Sequence, residues 1–177
     1  PKLAKSVRQN LADLGFRQSE FAAKILPNEE PRLDGTESIE LLFSPNPGEP
    51  LKPLRLIASS GEISRLMLAI KSSLAMQDAV PLLVFDESDA NVGGEIAHAV
   101  GARMRALAEK HQVLCITHLP QVAAVASTHF VVTKEVVQGR TFSGLREVKG
   151  KARQEEIARM LGGRSESALQ HAATLLR

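Results

Sequence analysis

Residues 80–89 read VPLLVFDESD, an apolar run that ends on two adjacent carboxylates, Asp86 and Glu87. The run has the length of a strand, and successive side chains of a strand point to opposite faces, so the two acids take different directions. One reading is plain: a buried strand reaches the surface and turns there. The other is that the strand delivers two acids with two jobs to the edge of a sheet. One would hold Mg²⁺, through water because that ion gives up its hydration shell reluctantly, and the other would orient and polarise an attacking water.

The flanking sequence supplies a context for this strand. From Gly61 the apolar positions Ile63, Leu66, Met67, Ile70 and Leu74 form one helical stripe. After the acids comes a helix near 92–110 whose inner face is Val92, Ile96, Val100, Met104 and Leu107, and then a second short apolar run, QVLCITH at 112–118. Apolar strands alternating with amphipathic helices imply a parallel sheet whose ligands bind at the carboxyl ends of the strands. Both apolar runs end in polar residues there, Asp86 and Glu87 on one, Thr117 and His118 on the other.

Farther out, Leu3, Val7, Leu11 and Leu14 predict a helix stopped by Gly15, ESIELLFS (37–44) a strand, and PNPGEPLKP (45–53) a loop. A brief helix from Pro120, strands near 128–135 and 141–148, and helices near 153–162 and 165–176 complete the pattern. The expected class is α/β, a mostly parallel sheet flanked by helices.

Two further constellations carry chemistry. In IASSGEISR (57–65), Ser59 and Glu62 have the spacing of a capping box, which satisfies free amides at a helix start and by itself accounts for the local sequence. The same free amides, with a hydroxyl and Gly61, also suit a phosphate group, because unpaired N–H groups and the helix dipole both favour an anion. His118, at the end of the second apolar run, is either an ordinary surface or core histidine or a donor to a phosphate oxygen or water. The histidines at 98, 111, 118, 129 and 171 show no short metal-ligand spacing.

Composition bounds the function. The 177 residues are 44% hydrophobic and 24% charged, those of an ordinary globular domain with a real core. With no Trp or Tyr there is little from which to build a stacking platform for single-stranded nucleic acid. A net charge of +2 does not by itself announce a polyanion partner. Lys149, Lys151 and Arg153 make one small basic cluster and Arg103 with Arg105 another; each is read either as surface solvation or as a DNA contact. The single cysteine, Cys115, excludes an internal disulfide and multi-cysteine metal sites. With no signal peptide and no apolar stretch of membrane-spanning length, the expected location is the cytoplasm. The chain opens on Pro1 and on a helix pattern, and reads as a piece of something longer.

Taken in order, these pieces resemble the second half of an ABC-type ATPase: SSGE (59–62) its signature, LLVFDE (82–87) its Walker B strand, SDANVGG (88–94) its D-loop region and THLPQVA (117–123) its switch-histidine segment. A closer resemblance, over essentially the whole chain, is to the head segment of the RecN family of bacterial DNA repair proteins, relatives of the SMC proteins. FSPNPGEPLKPLRLIASSGEISRLMLAI, LVFDESD, VLCITHLPQVAAVASTHFVVTK and EEIARMLGG carry it, and ADLGF (12–16) is similar to the stretch where the coiled coil returns to the head.

The resemblance implies a P-loop NTPase fold without its Walker A half, with residues 1–26 a helical segment at the coiled-coil junction and 27–177 the C-terminal lobe. It implies that Asp86 binds Mg²⁺ through water, that Glu87 activates water, and that His118 contacts the γ-phosphate. It gives Ser59, Ser60, Gly61 and Glu62 to the ATP site of an opposing head, and Asp89 to the D-loop. The partners implied are an N-terminal lobe, a second identical head and DNA, with no membrane, in a nucleoid-associated bacterial protein. Two positions depart from the pattern: Ser60 stands where the family usually has glycine, and Ser88 where an apolar residue is more common.

No stretch fits G-x-x-x-x-G-K-[ST]; GEPLKP (48–53) and GGRSES (162–167) both lack the ending. The expectation is therefore that this chain alone binds ATP weakly or not at all. Two alternatives stay open at this point, the nucleotide-binding half of another ABC ATPase such as a transporter, and a non-catalytic dimerisation module.

Overall fold

The computed structural model describes residues 2–33, 35–57, 59–75, 80–86 and 92–177. They divide into two compact units, 1–117 and 118–177.

In the first unit, helix α1 (Lys2–Asp13) buries Val7 and Leu11, the stripe expected from the sequence, and ends in a turn at Gly15 with φ +92°. A side chain at Gly15 would be strained at that φ and would also meet Ile96, since an added Cβ would stand 2.8 Å from its Cδ1. Strand β1 (Glu20–Arg32) pairs antiparallel with β2 (Gly35–Ser44), and β2 pairs with the two-residue β3 (Lys52–Pro53). The sequence reading has no β1. Pro27 and Pro31 break its pattern, and the pairing register does shift between Pro27 and Arg32. Residues 2–26 hold α1 and the start of this strand.

Helix α2 (Ser60–Leu74) buries Leu66, Leu68, Ala69 and Ile70. It packs on α1, where the Asn10 side-chain amide donates to the Ser73 hydroxyl at 2.8 Å and to the Ala69 carbonyl at 3.4 Å. Strand β4 (Leu82–Asp86), helix α3 (Gly94–Leu107) and strand β5 (Gln112–Ile116) follow, and β4 and β5 pair in parallel. The α/β class is as expected; among the described residues, parallel pairing is confined to this one sheet. Val100, Met104 and Leu107 of α3 join Phe21, Phe43, Leu83 and Phe85 among the buried apolar residues.

The second unit holds the short helix α4 (Pro120–Ala124), the antiparallel hairpin β6 (His129–Val137) and β7 (Arg140–Val148), and helices α5 (Gly150–Met160) and α6 (Glu166–Leu175). Its core is small: Ala123, Ala124, Ile157, Ala158 and Ala172, with Met160, Leu161, Leu169 and Leu175 packed against it.

Candidate functional site

Parallel strands end on one rim, and here the register sets Asp86 opposite Ile116 and Leu82 opposite Gln112. The starting ends are pinned. The Gln112 amide donates to the Pro81 carbonyl at 2.8 Å, and Nδ1 of the buried His111 lies 2.7 Å from the Val80 carbonyl oxygen. A carbonyl only accepts, so Nδ1 is the protonated nitrogen of that ring. Along β4, Leu83 and Phe85 are buried while Leu82, Val84 and Asp86 are exposed, so strict alternation brings the Asp86 carboxylate out at the rim.

A single exposed carboxylate suits an ion that keeps most of its waters and takes its other oxygens from phosphates. Among the described residues no group of three or more His, Cys, Asp or Glu could hold a metal ion by itself. With its carboxylate exposed at the rim, Asp86 could hold a hydrated Mg²⁺ jointly with a phosphate.

The start of α2 lies beside this rim. Ser59 caps the helix from extended backbone, its hydroxyl accepting from the Glu62 amide at 3.4 Å. Ser60 is exposed, Gly61 is buried, and Glu62 sits in the first turn, where the dipole favours an acid. One turn on, the Ser64 hydroxyl donates to the backbone carbonyl of Asp86 at 3.4 Å, which ties the helix start to the end of β4. That link has no signature in the sequence.

Arg65 adds a second tie. Its guanidinium stands 4.9 Å from the centre of the Phe16 ring, and Phe16 meets Phe43 edge-to-face at 5.4 Å. Burial holds the Arg65 guanidinium below its ordinary pKa, and Glu62 offsets part of that shift.

Of the remaining site residues expected from the sequence, Glu87 and Asp89 lie outside the described residues. His118 opens the second unit, two residues after Ile116 in the sequence, with an exposed side chain. Leu119 then serves as extended N-cap and Pro120 as first residue of α4.

The basic cluster at 149–153 is not a free cationic patch. Arg153 turns inward onto the carbonyl oxygens of Ala123, Ala124 and Ala126, at 3.3, 3.0 and 2.6 Å. Lys149 pairs with Glu147 at 2.9 Å and Lys151 reaches Glu155 at 3.9 Å. In the other cluster, Arg103 is paired with Asp13. The partners of the two lysines are local, whereas those of Arg153 and Arg103 come from elsewhere in the fold.

No family model matches the chain. It is similar to proteins named DNA repair protein RecN: 47% identical over 173 residues in Xylella fastidiosa, covering 97% of this chain and 31% of that protein. The Deinococcus radiodurans protein is 46% identical over 177 residues (98% and 31%), and that of Bacillus subtilis 38% over 193 (99% and 34%). The chain thus spans about a third of the length of these relatives.

Among solved structures it resembles the SMC head domain of Pyrococcus yayanosii with a coiled coil and joint, at a TM-score of 0.64 and 18% identity over 89% of this chain and 29% of that one. The SMC head of Pyrococcus furiosus, bound to the C-terminal domain of ScpA, follows at 0.57 and 18% identity, covering 82% of this chain and 35% of that one. At such identity these likenesses speak for the fold.

Proposed function

We take the chain's membership of the RecN family of DNA repair proteins as the premise and propose that it is the C-terminal lobe of an ATP-hydrolysing, SMC-like head that serves double-strand break repair. The observation that carries this reading is the parallel register of β4 and β5, which ends β4 at Asp86 and β5 at Ile116 on one rim. The hydrogen bond from Ser64 supports it further by setting the signature helix beside that rim.

Each residue then has one task. Asp86 would hold a hydrated Mg²⁺ together with the nucleotide phosphates, and Glu87 would orient and polarise the attacking water. His118 donates to the γ-phosphate. Ser59, Ser60, Gly61 and Glu62 present the α2 amides to the ATP of an opposing identical head, where the helix start favours the phosphates. Asp89 belongs to the loop between the two sites. Mg²⁺ when bound neutralises charge developing on the phosphates.

The sequence lacks a Gly-Lys-Ser/Thr phosphate loop, which another part of the protein, an N-terminal lobe, would supply. Residues 1–26 would then lie where the coiled coil joins the head, and 27–177 would form the lobe proper. One exposed surface suits such a lobe: Leu82, Val84, Leu114 and Ile116 form a contiguous apolar face on the β4–β5 pair, 46–56% exposed. We place the whole protein in the bacterial cytoplasm on the nucleoid, with DNA as its macromolecular partner. The paired and inward-turned cations described above favour a DNA surface elsewhere than at 149–153.

The test is Glu87→Gln in the full-length protein. It keeps the shape of the side chain and removes the base, so ATP affinity stays within about twofold while turnover falls by a factor on the order of 100 or more. Near-normal turnover would remove Glu87 from this role. The 177-residue chain by itself is expected to show no micromolar, Mg²⁺-dependent affinity for ATP.

A further inference from the structure

Helix α4 is five residues long and has no side-chain N-cap. Such a helix is far below the roughly 12–15 residues that an isolated helix needs in water, so its shape is imposed from outside. Two things impose it. Pro120, Val122, Ala123 and Ala124 are buried, the two alanines against Ile157, Ala158 and Ala172 of α5 and α6. Nη2 of the Arg153 guanidinium, projecting from α5, lies 2.6 Å from the carbonyl oxygen of Ala126, 3.0 Å from that of Ala124 and 3.3 Å from that of Ala123, at the far end of α4. Those oxygens are at or just past the negative end of the helix, where a cation is favoured.

The near end of α4 begins two residues after His118. Between them lies only Leu119 in extended conformation, and the ring of Pro120, the first residue of α4, fixes φ, so few soft torsions separate the imidazole from the clamped helix.

We propose that Arg153 is a positioning residue for His118: by clamping the C-terminal carbonyls of α4 it sets where the imidazole stands. This rests on the γ-phosphate role given to His118 above. Arg153 itself touches no substrate. It acts through the helix, and its effect is therefore confined to what His118 does.

The experiment is a double-mutant cycle on ATP turnover in the full-length protein, with Arg153→Ala, Arg153→Lys, His118→Ala and the His118→Ala/Arg153→Ala pair. Arg153→Ala is expected to lower kcat by about tenfold with the ATP dissociation constant changed by less than about twofold, and Arg153→Lys to recover part of the loss. The double variant should turn over no more slowly than His118→Ala alone. Hydrogen exchange gives a second reading: in Arg153→Ala the amides of Val122 and Ala123 should exchange faster while those in the middle of α5 keep their protection.

Unchanged turnover in Arg153→Ala overturns the inference. So does an equal fold-loss in both His118 backgrounds, or deprotection spread evenly through α5 and α6, since either marks general destabilisation. If His118→Ala alone turns over normally, the role of His118 is what fails, and this inference goes with it.

Discussion

The apolar face on β4 and β5 offers a direct check on the claim that another part of the protein covers it. Leu82, Val84, Leu114 and Ile116 are 46%, 56%, 49% and 55% exposed in this chain. Fully burying an aliphatic side chain is worth about 1.5–3 kcal/mol, so covering the exposed half of each contributes about 1 kcal/mol per residue. Threonine in place of Val84 keeps the β-branch that suits a strand and adds one hydroxyl.

In the 177-residue chain that hydroxyl faces water, so Val84→Thr should change stability by no more than about 0.5 kcal/mol. In the full-length protein, if the proposed lobe covers this face, the hydroxyl would be buried against apolar atoms. Losing the ~1 kcal/mol of transfer and burying an unpaired hydroxyl at ~1–3 kcal/mol together cost about 2–4 kcal/mol. Ile116→Thr should behave alike. The assay is urea unfolding of both proteins, comparing midpoint and slope so that a change in stability is separated from a change in exposed surface. If the full-length protein loses no more than the 177-residue chain, the face is open to solvent in both, and the lobe packing proposed here is wrong.

Other substitutions test local claims. Gly15→Ala must adopt φ +92° and push its Cβ against Ile96, so thermal unfolding should show a loss of about 1–3 kcal/mol, whereas Gly48→Ala, also at positive φ but with open space around it, should lose less. Asn10→Ala breaks the bonds to Ser73 and Ala69 between α1 and α2; chemical denaturation should report a loss of about 1–2 kcal/mol, and the loss should not add fully to that of Ser73→Ala.

Acid should also weaken the second unit in two stages. Burial, and then the neighbouring Arg153, hold His129 below its ordinary pKa of 6.5, against a smaller opposing pull from Glu156. The fold therefore prefers the neutral ring, and its stability is full above pH 6.5 and declines as pH falls through the lower folded value. Glu156 is likewise held low, chiefly by its hydrogen bonds from Arg159, so its contribution is present above pH 4.5 and is lost only on further acidification. His129→Gln should flatten the first stage of a pH-dependent melting series and leave the second; an unchanged first stage would assign it to another group.

What the sequence determined by itself was whatever repeats along the chain. Leu66 and Ile70 of α2, Val100, Met104 and Leu107 of α3, the apolar runs of β4 and β5 and the cap at Ser59 were all legible in the sequence, because helix and strand periods and capping chemistry are local; Met67, expected on the α2 stripe, is instead exposed, with Leu68 and Ala69 buried. The resemblance carried by SSGE, LLVFDE and THLPQVA belonged to the sequence too. Strand β1 escaped notice because its prolines obscure the pattern, and its pairing with β2 is a cross-strand fact. The partners of Arg153 were hidden for the same reason: it bonds the carbonyls of residues 27 to 30 positions upstream, which its sequence neighbours do not reveal. The tie from Ser64 to the Asp86 carbonyl and the Arg153 clamp on α4 both join residues more than 20 positions apart. No local propensity encodes such pairings; only the folded packing of one element on another could decide them.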